Sequence, residues 1–430
     1  MRKRSILLSV LILSSISVQL FAQREITKNI LIYLNGVVSE IPSASNSDDY
    51  IAPVDSEFVA FKNTIKFILE KNYSTANTLA KTYGYELFKI IDNTGDTEHY
   101  YYALIDKSDK YWGSFIFNTM PDRSKLVIQC PHSFYDSNTG YQGALVFSET
   151  QPLALFLNGI HRCNSTLHSD CDGTTSACGD GYESYRKSDQ AHNIDNTFQA
   201  ATEACEETLD SLIYIQLHGF SKSSSDPYVI MSNGTIDLPS GKDYLVELSN
   251  NLQAIDPVLT SKIAHIDDWT RLIATTNTQG RFINESEAPC SAPARTNSGR
   301  FLHLEQERSR LRASESKWHV MADAINSTFT ADTITSVETG EELAKSFSLS
   351  CYPNPFNAAV NIKVSIEKPG DIKLYVYNLL GQKVASVFTG KLNAGEKTFY
   401  FNAGNFSSGV YFVTMLTDGK ILSRKILLMK

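Results

Sequence analysis

The chain has 430 residues and a formal net charge of −8, unevenly spread. Residues 347–430 hold ten Lys/Arg against four Asp/Glu, residues 1–22 hold three cations, and the stretch between them stands at −17. So acidic a body argues against a nucleic-acid partner, and its length exceeds what one hydrophobic core organises, so two or three domains are expected.

In chain order, residues 1–22 come first. Arg2, Lys3 and Arg4 precede the apolar run Ile6–Ile16, and Ala22 is followed by polar Gln23 and Arg24. This is the charged, apolar and small-residue sequence of a secretory signal. The run is too short to serve as a permanent membrane span, and no other stretch approaches that length.

Residues 23–125 read as an N-terminal α+β part. Phe58, Phe61, Ile65, Phe67 and Ile68 recur near a 3.6-residue period, predicting a helical stretch over Glu57–Lys81. Tyr85–Ile91, Tyr100–Ile105, Tyr111–Phe117 and Lys125–Gln129 are strand-like, and Asn93-Thr94-Gly95 supplies a hairpin turn between the first two.

From residue 126 to residue 326 the pattern changes to α/β. Leu153–Asn158 and Leu212–Leu217 are nearly continuous apolar runs, as in strands buried on both faces. A helix is expected over Gly140–Ser148. Asn196–Leu209 reads as a surface helix, and Tyr228–Met231, the helix-like Lys242–Leu252 and Phe301–Leu304 continue the alternation. A central sheet with helices on both faces is the expected architecture. Residues 327–346, rich in Thr, Ser and Glu, form a linker.

Beyond it, Asn361–Ile366, Lys373–Asn378, Lys383–Phe388, Thr398–Phe401, Val410–Thr417 and Lys420–Leu428 are short alternating strands separated by turn residues, which predicts a small all-β sandwich over residues 347–430. The motifs YPNPFN (352–357), VYNLLG (376–381), SGVY (408–411) and the closing KILLMK (425–430) resemble the C-terminal sorting domain of type IX secretion substrates. That resemblance implies passage through the periplasm, a type IX secretion partner and a secreted or surface-held product.

Seven cysteines in an exported chain point to disulfides. Cys163, Cys171 and Cys178 crowd one polar segment and read as a stapled loop with at least one bridge among them. The odd count leaves a free thiol, for which Cys130 and Cys205 are the buried candidates.

Two apolar strands end alike, at Pro131-His132 and at His218-Gly219. Ligands of open α/β sheets bind at the carboxyl ends of strands, so neighbouring strands would bring these imidazoles together. Imidazole is a common zinc ligand, and a catalytic zinc needs three protein ligands and an open position. Asp136 is the preferred third ligand, with Glu149 and His192 as rivals. On Phe301–Glu305, Phe301, His303 and Glu305 share one face, which makes Glu305 a candidate general base; a surface Glu in the charged run that follows is the competing reading. Arg162 is a candidate clamp for a substrate carboxylate or a member of a structural pair, and Asn277 and Arg281 are candidate substrate contacts. Asp189 and Asn193 are candidate helix N-caps.

Pro131-His132-Ser133, His218-Gly219 and His303-Leu304-Glu305-Gln306 together resemble the N-formylglutamate amidohydrolases of the zinc-carboxypeptidase and amidase group, over residues 126–312. The resemblance implies His132 and His218 as zinc ligands and Glu305 as the catalytic carboxylate; the family's acidic ligand has no clear counterpart in this sequence, so the resemblance does not assign Asp136. The function expected is a zinc-dependent hydrolase of an amide or peptide bond. A cell-wall amidase and a non-catalytic surface adhesin are the alternatives.

Overall fold

The structure, a computed structural model, describes residues 24–332 other than 96 and 180, and residues 348–430 other than 367–368, 379–381 and 418–419. The predicted signal, residues 1–22, and residues 333–346 of the predicted linker lie outside the described residues. The chain divides into two compact units, Met1–Asp332 and Thr333–Lys430.

The first unit runs β1 (Glu25–Thr27), α1 (Ile30–Ser39), α2 (Asp55–Leu69), α3 (Tyr73–Lys81), β2 (Tyr85–Asp92), β3 (His99–Asp106), β4 (Ser114–Asn118), β5 (Arg123–Cys130), α4 (Thr139–Thr150) and β6 (Pro152–Leu157). After the small hairpin β7 (Thr174–Thr175) and β8 (Glu183–Ser184) come α5 (Thr197–Thr208), β9 (Ile213–Phe220), β10 (Val229–Ser232), α6 (Tyr244–Ile255), β11 (Ser261–Ile263), α7 (Ala264–Asp267), α8 (Thr278–Ile283), β12 (Phe301–Glu307), α9 (Arg308–Leu311) and α10 (Glu315–Thr328). One mixed sheet of ten strands has the order β1-β2-β3-β4-β6-β5-β9-β12-β10-β11. β5, β6, β9 and β12 are mutually parallel and form its middle.

Helices cover both faces. Leu34 of α1, Leu145 of α4, Leu248 of α6 and Ile325 of α10 pack on one side with Ile128 and Ile215. Phe61 of α2, Ala80 of α3, Phe198 of α5 and Ile283 of α8 pack on the other with Val127 and Tyr214. From β5 the chain crosses by α4 to β6 on one flank, then returns by α5 to β9 on the opposite flank. The β5/β9 border is therefore a topological switch point, the place beyond the carboxyl ends of the strands where open α/β sheets bind their ligands.

Several expectations are corrected in detail. The helical stretch Glu57–Lys81 is two helices, broken where Lys71 adopts a left-handed φ of 60°. The Asn196–Leu209 helix is not at the surface: α2 lies over it, Phe198, Ala201 and Cys205 are fully buried, and Lys62 bridges Glu203 and Glu207 across the pair. Helices α1 and α10 lie where no element was expected, and Ser327 and Thr328 close α10 rather than open a linker.

The second unit holds a three-stranded sheet, Ser348–Tyr352, Ala359–Ile366 and Gly395–Asn402, and a four-stranded sheet of Gly370–Asn378, Lys383–Leu392, Gly409–Thr417 and Lys420–Leu428, both antiparallel. Alternating residues of both, such as Ile362, Val364, Leu374 and Val413, build one apolar core. Among the described residues no helix is long and apolar enough to cross a membrane.

Candidate functional site

On the α5 face, β5, β9 and β12 grade from apolar to amide to ionisable as they approach their carboxyl ends. Val127, Tyr214 and Phe301 lie level in register; next come Gln129, Gln216 and His303; last, His218 lies opposite Glu305. The period-2 pleat puts all of these on one side of the sheet, so a buried polar cluster follows a hydrophobic floor.

His132 joins them from the turn after β5. The turn closes with the Asp136 amide donating to the His132 carbonyl (3.1 Å) and the Gly140 amide to the Ser133 carbonyl (3.0 Å). Ser137 and Asn138 both have positive φ, which swings the chain from the strand end into α4. The turn folds Asp136 back beside His132.

Three donor atoms meet there. His132 Nδ1 lies 3.1 Å from His218 Nδ1 and 3.2 Å from Asp136 Oδ2, and His218 Nδ1 lies 3.3 Å from the same carboxylate oxygen. The outer ring nitrogens face oxygen: His132 Nε2 lies 2.9 Å from Asp189 Oδ1, and His218 Nε2 lies 2.9 Å from Gln216 Oε1. All four side chains, with Asp189, are buried. A second group of His218, His303 and Glu305 offers ligand atoms within 4.8 Å of one another. His303 Nδ1 and Glu305 Oε2 are buried without a hydrogen-bond partner among the described residues.

The charges follow from this crowding. Burial alone would raise the Asp136 carboxyl, but His132 and His218 hold it well below the usual carboxylate range. Asp189 is likewise held low against burial, by Arg162 and His132. Burial and Arg162 pull His132 down, yet the two aspartates prevail and its affinity for a proton rises. Burial lowers His218 to about 4 against the pull of Asp136. Glu305 is pushed up to about 8, by burial first and then by the Asp136 charge. The two carboxylates, Asp136 and Asp189, thus favour a positive charge between them, at His132.

Arg162 reaches this cluster. Its Nη2 pairs with Asp189 Oδ2, its Nη1 lies 3.3 Å from His132 Nδ1, and its Nε has no partner among the described residues. Arg312, which the sequence reading passed over, donates from Nη1 to the carbonyls of Asp136 and Ser137 and from Nε to that of Gln306 (3.1 Å). Its guanidinium lies flat on Gly219, where an added Cβ would come within 2.1 Å of Arg312 Cζ. A side chain at position 219 would have to displace that guanidinium from its carbonyl partners.

Other candidates lie elsewhere. Asn277 caps α8, its Oδ1 accepting from the Gly280 amide and its Nδ2 donating to Gln216, so it faces the back of the pocket and not a substrate. Arg281 is spent on Asp172 and on the Thr275 and Cys290 carbonyls, fastening a loop. Glu149 pairs with His319 at 2.9 Å, away from the cluster. His192 stacks on Tyr185 at 3.7 Å with its ring 6.5 Å from that of His132, outside the donor triangle. Asp189 and Asn193 do not cap α5; Asn196 does, accepting from the Gln199 amide. Bridges Cys163–Cys178 and Cys171–Cys290 staple the segment that carries Arg162 and Asp189, while Cys130, Cys205 and Cys351 are free.

Comparison with known proteins assigns the second unit. Residues 350–429 match the family described as the secretion system C-terminal sorting domain. This sorting domain indicates export through the type IX machinery, to a secreted or surface-held state. No curated protein matches the chain. Among solved structures, the alkylpurine DNA glycosylase AlkC of Pseudomonas fluorescens, bound to DNA with an abasic-site analogue, aligns at 16% identity over 20% of this chain and 30% of that one, with a TM-score of 0.14. An endo-β-1,4-mannanase from Thermotoga petrophila aligns at 11% identity over 54% of this chain and 42% of that one, also with a TM-score of 0.14. Likeness at that level carries no argument about the first unit.

Proposed function

We propose that the first unit is a zinc-dependent hydrolase of amide or peptide bonds, with His132, Asp136 and His218 as metal ligands and Glu305 in proton transfer. The observation that carries the reading is the donor triangle. Zinc holds nitrogen and oxygen ligands at roughly 2.0–2.2 Å in a tetrahedron, whose corners then stand about 3.3 Å apart. The three donor atoms are separated by 3.1, 3.2 and 3.3 Å. Both imidazoles turn their outer nitrogen to an oxygen acceptor, the arrangement that orients a metal-ligating histidine.

Zinc at this position supplies Lewis acidity toward a carbonyl and acidifies water. The remaining roles fall to the chain. Burial and then the Asp136 charge keep the Glu305 carboxyl protonated, and a cation held by Asp136 and the two imidazoles would offset that charge. The ionised Oε2, buried and without a partner among the described residues, would then take the proton of the attacking water and return it to the leaving amine nitrogen. Arg162, with one edge on Asp189, offers a guanidinium to a substrate carboxylate. Arg312 and Asp189 keep the Asp136 turn and the His132 ring in place. The substrate class is an acyl-amino acid or a peptide end, cell-wall stem peptides included. Similarity to N-formylglutamate amidohydrolases in the His132, His218 and Glu305 motifs supports the small N-acylated amino acid first.

The test is turnover of a panel of N-acylated amino acids and short peptides by the zinc-loaded mature chain. Glu305→Gln keeps shape but cannot accept the proton, so zinc stays bound while the rate falls by roughly 10²–10⁴-fold. Full activity in Glu305→Gln removes the proposed base. A surface adhesin would turn over nothing in the panel.

A further inference from the structure

Behind the pocket lies a buried chain of amides whose direction can be deduced bond by bond. Thr202 Oγ1 donates to the Phe198 carbonyl (2.8 Å), so toward Gln129 Nε2 (3.0 Å) it is an acceptor. That points Gln129 Oε1 at Gln216. Gln279 Nε2 donates to the Gln190 carbonyl (3.0 Å), which leaves Gln279 Oε1 facing Gln216 as well. Gln216 Nε2 accordingly gives its two hydrogens to Gln129 Oε1 (2.9 Å) and Gln279 Oε1 (3.1 Å). Asn277 is anchored independently: its Oδ1 takes the Gly280 amide (2.9 Å), so its Nδ2 donates to Gln216 Oε1 (2.7 Å). A hydroxyl donating elsewhere, a backbone carbonyl and a backbone amide therefore agree on one orientation of Gln216. Its oxygen faces His218 Nε2 at 2.9 Å.

We infer that Gln216 is a positioning residue that locks His218 as the Nε2–H tautomer, leaving Nδ1 bare toward the pocket. A carbonyl oxygen only accepts, so Gln216 at 2.9 Å draws the proton of a neutral His218 to Nε2, against the Asp136 carboxylate that lies farther from Nδ1, at 3.3 Å. A metal ligand needs its coordinating nitrogen deprotonated, and a partner on the opposite nitrogen determines which one that is. Asp189 holds His132 Nε2 in the same sense with a carboxylate; Gln216 does it for His218 with a neutral amide whose own direction is set by Gln129, Gln279 and Asn277. Its consequence for metal binding rests on the proposed reading of His218 as a ligand; the tautomer itself does not.

The experiment uses the mature full chain, labelled with ¹⁵N-histidine and stripped of metal at pH 8, with the His218 signals identified by their loss in His218→Ala. Long-range ¹H–¹⁵N spectra should show His218 as the Nε2–H tautomer. Asn277→Asp keeps the α8 cap, because the carboxylate still accepts from Gly280, but sets an oxygen against Gln216 Oε1. It should move His218 toward the Nδ1–H form and weaken zinc binding, measured against a chromophoric chelator, by roughly 10–100-fold. If that variant fails to fold, Thr202→Val, which removes the acceptor of Gln129 Nε2, should shift the tautomer in the same direction. A wild-type His218 in the Nδ1–H form overturns the inference, and so does a folded variant with unchanged tautomer. Should the wild type bind no zinc while the tautomer behaves as described, the lock stands and the hydrolase reading alone falls.

Discussion

Glu305→Gln should change how the stability of the metal-free protein depends on pH. Glu305 titrates at about 8 rather than near its ordinary 4.5, because it is buried and faces the Asp136 charge, with His132, Arg162 and Arg312 opposing. The folded state therefore holds this proton more tightly than the unfolded chain does. The stabilisation is complete below the unfolded pKa and is lost as pH rises toward 8. Each pK unit corresponds to about 1.4 kcal/mol, so a difference of this size amounts to a few kcal/mol. Glutamine carries no such proton. Urea unfolding of both proteins after chelation, at pH 5 and pH 8, should show the variant gaining on the wild type by roughly 2–4 kcal/mol across that interval. Parallel profiles would refute the burial of an acidic Glu305 and with it the description of the pocket's charge.

Further outcomes are expected. Gly219→Ala drives a Cβ into the Arg312 guanidinium and should cost on the order of 3 kcal/mol through its carbonyl bonds, read from the unfolding midpoint. Removing both Cys163 and Cys178 opens a bridge of sequence separation 15 and should cost about 3 kcal/mol in thermal unfolding. A chain ending at Asp332 should stay folded, since each unit has its own core, but should no longer reach the cell surface, as surface labelling of cells would show.

How much of this was legible in the sequence depends on how local each signal is. His132 and His218 could be found because each follows an apolar strand, and their meeting needed only that β5 and β9 be neighbours. The sorting domain was legible because its strands alternate strictly and its turns are Gly- and Asn-rich. Asp189 was not, because an Asp ahead of a helix fits a cap as well as a distant partner, and its bond to His132 spans 57 positions. Gln216 was hidden for a different reason: a glutamine inside an apolar run carries no periodicity signal, and its role exists only once Gln129, Gln279 and Asn277 converge on it. Arg281 and Asn277 looked like site residues because polar turns beside a sheet often are; here one fastens a disulfide loop and the other caps a helix. Helix α1, almost wholly apolar on one side and short, offered too little contrast to be told from a strand.

The central claim is that His132, Asp136 and His218 hold one zinc ion. Its most direct test is the zinc content of the purified mature chain by elemental analysis, measured beside His132→Ala, Asp136→Asn and His218→Ala after equal exposure to zinc. One zinc per wild-type chain, lost or strongly depleted in each of the three variants while Glu305→Gln retains it, is the predicted result. A wild type without stoichiometric zinc, or zinc that survives all three changes, would contradict the account.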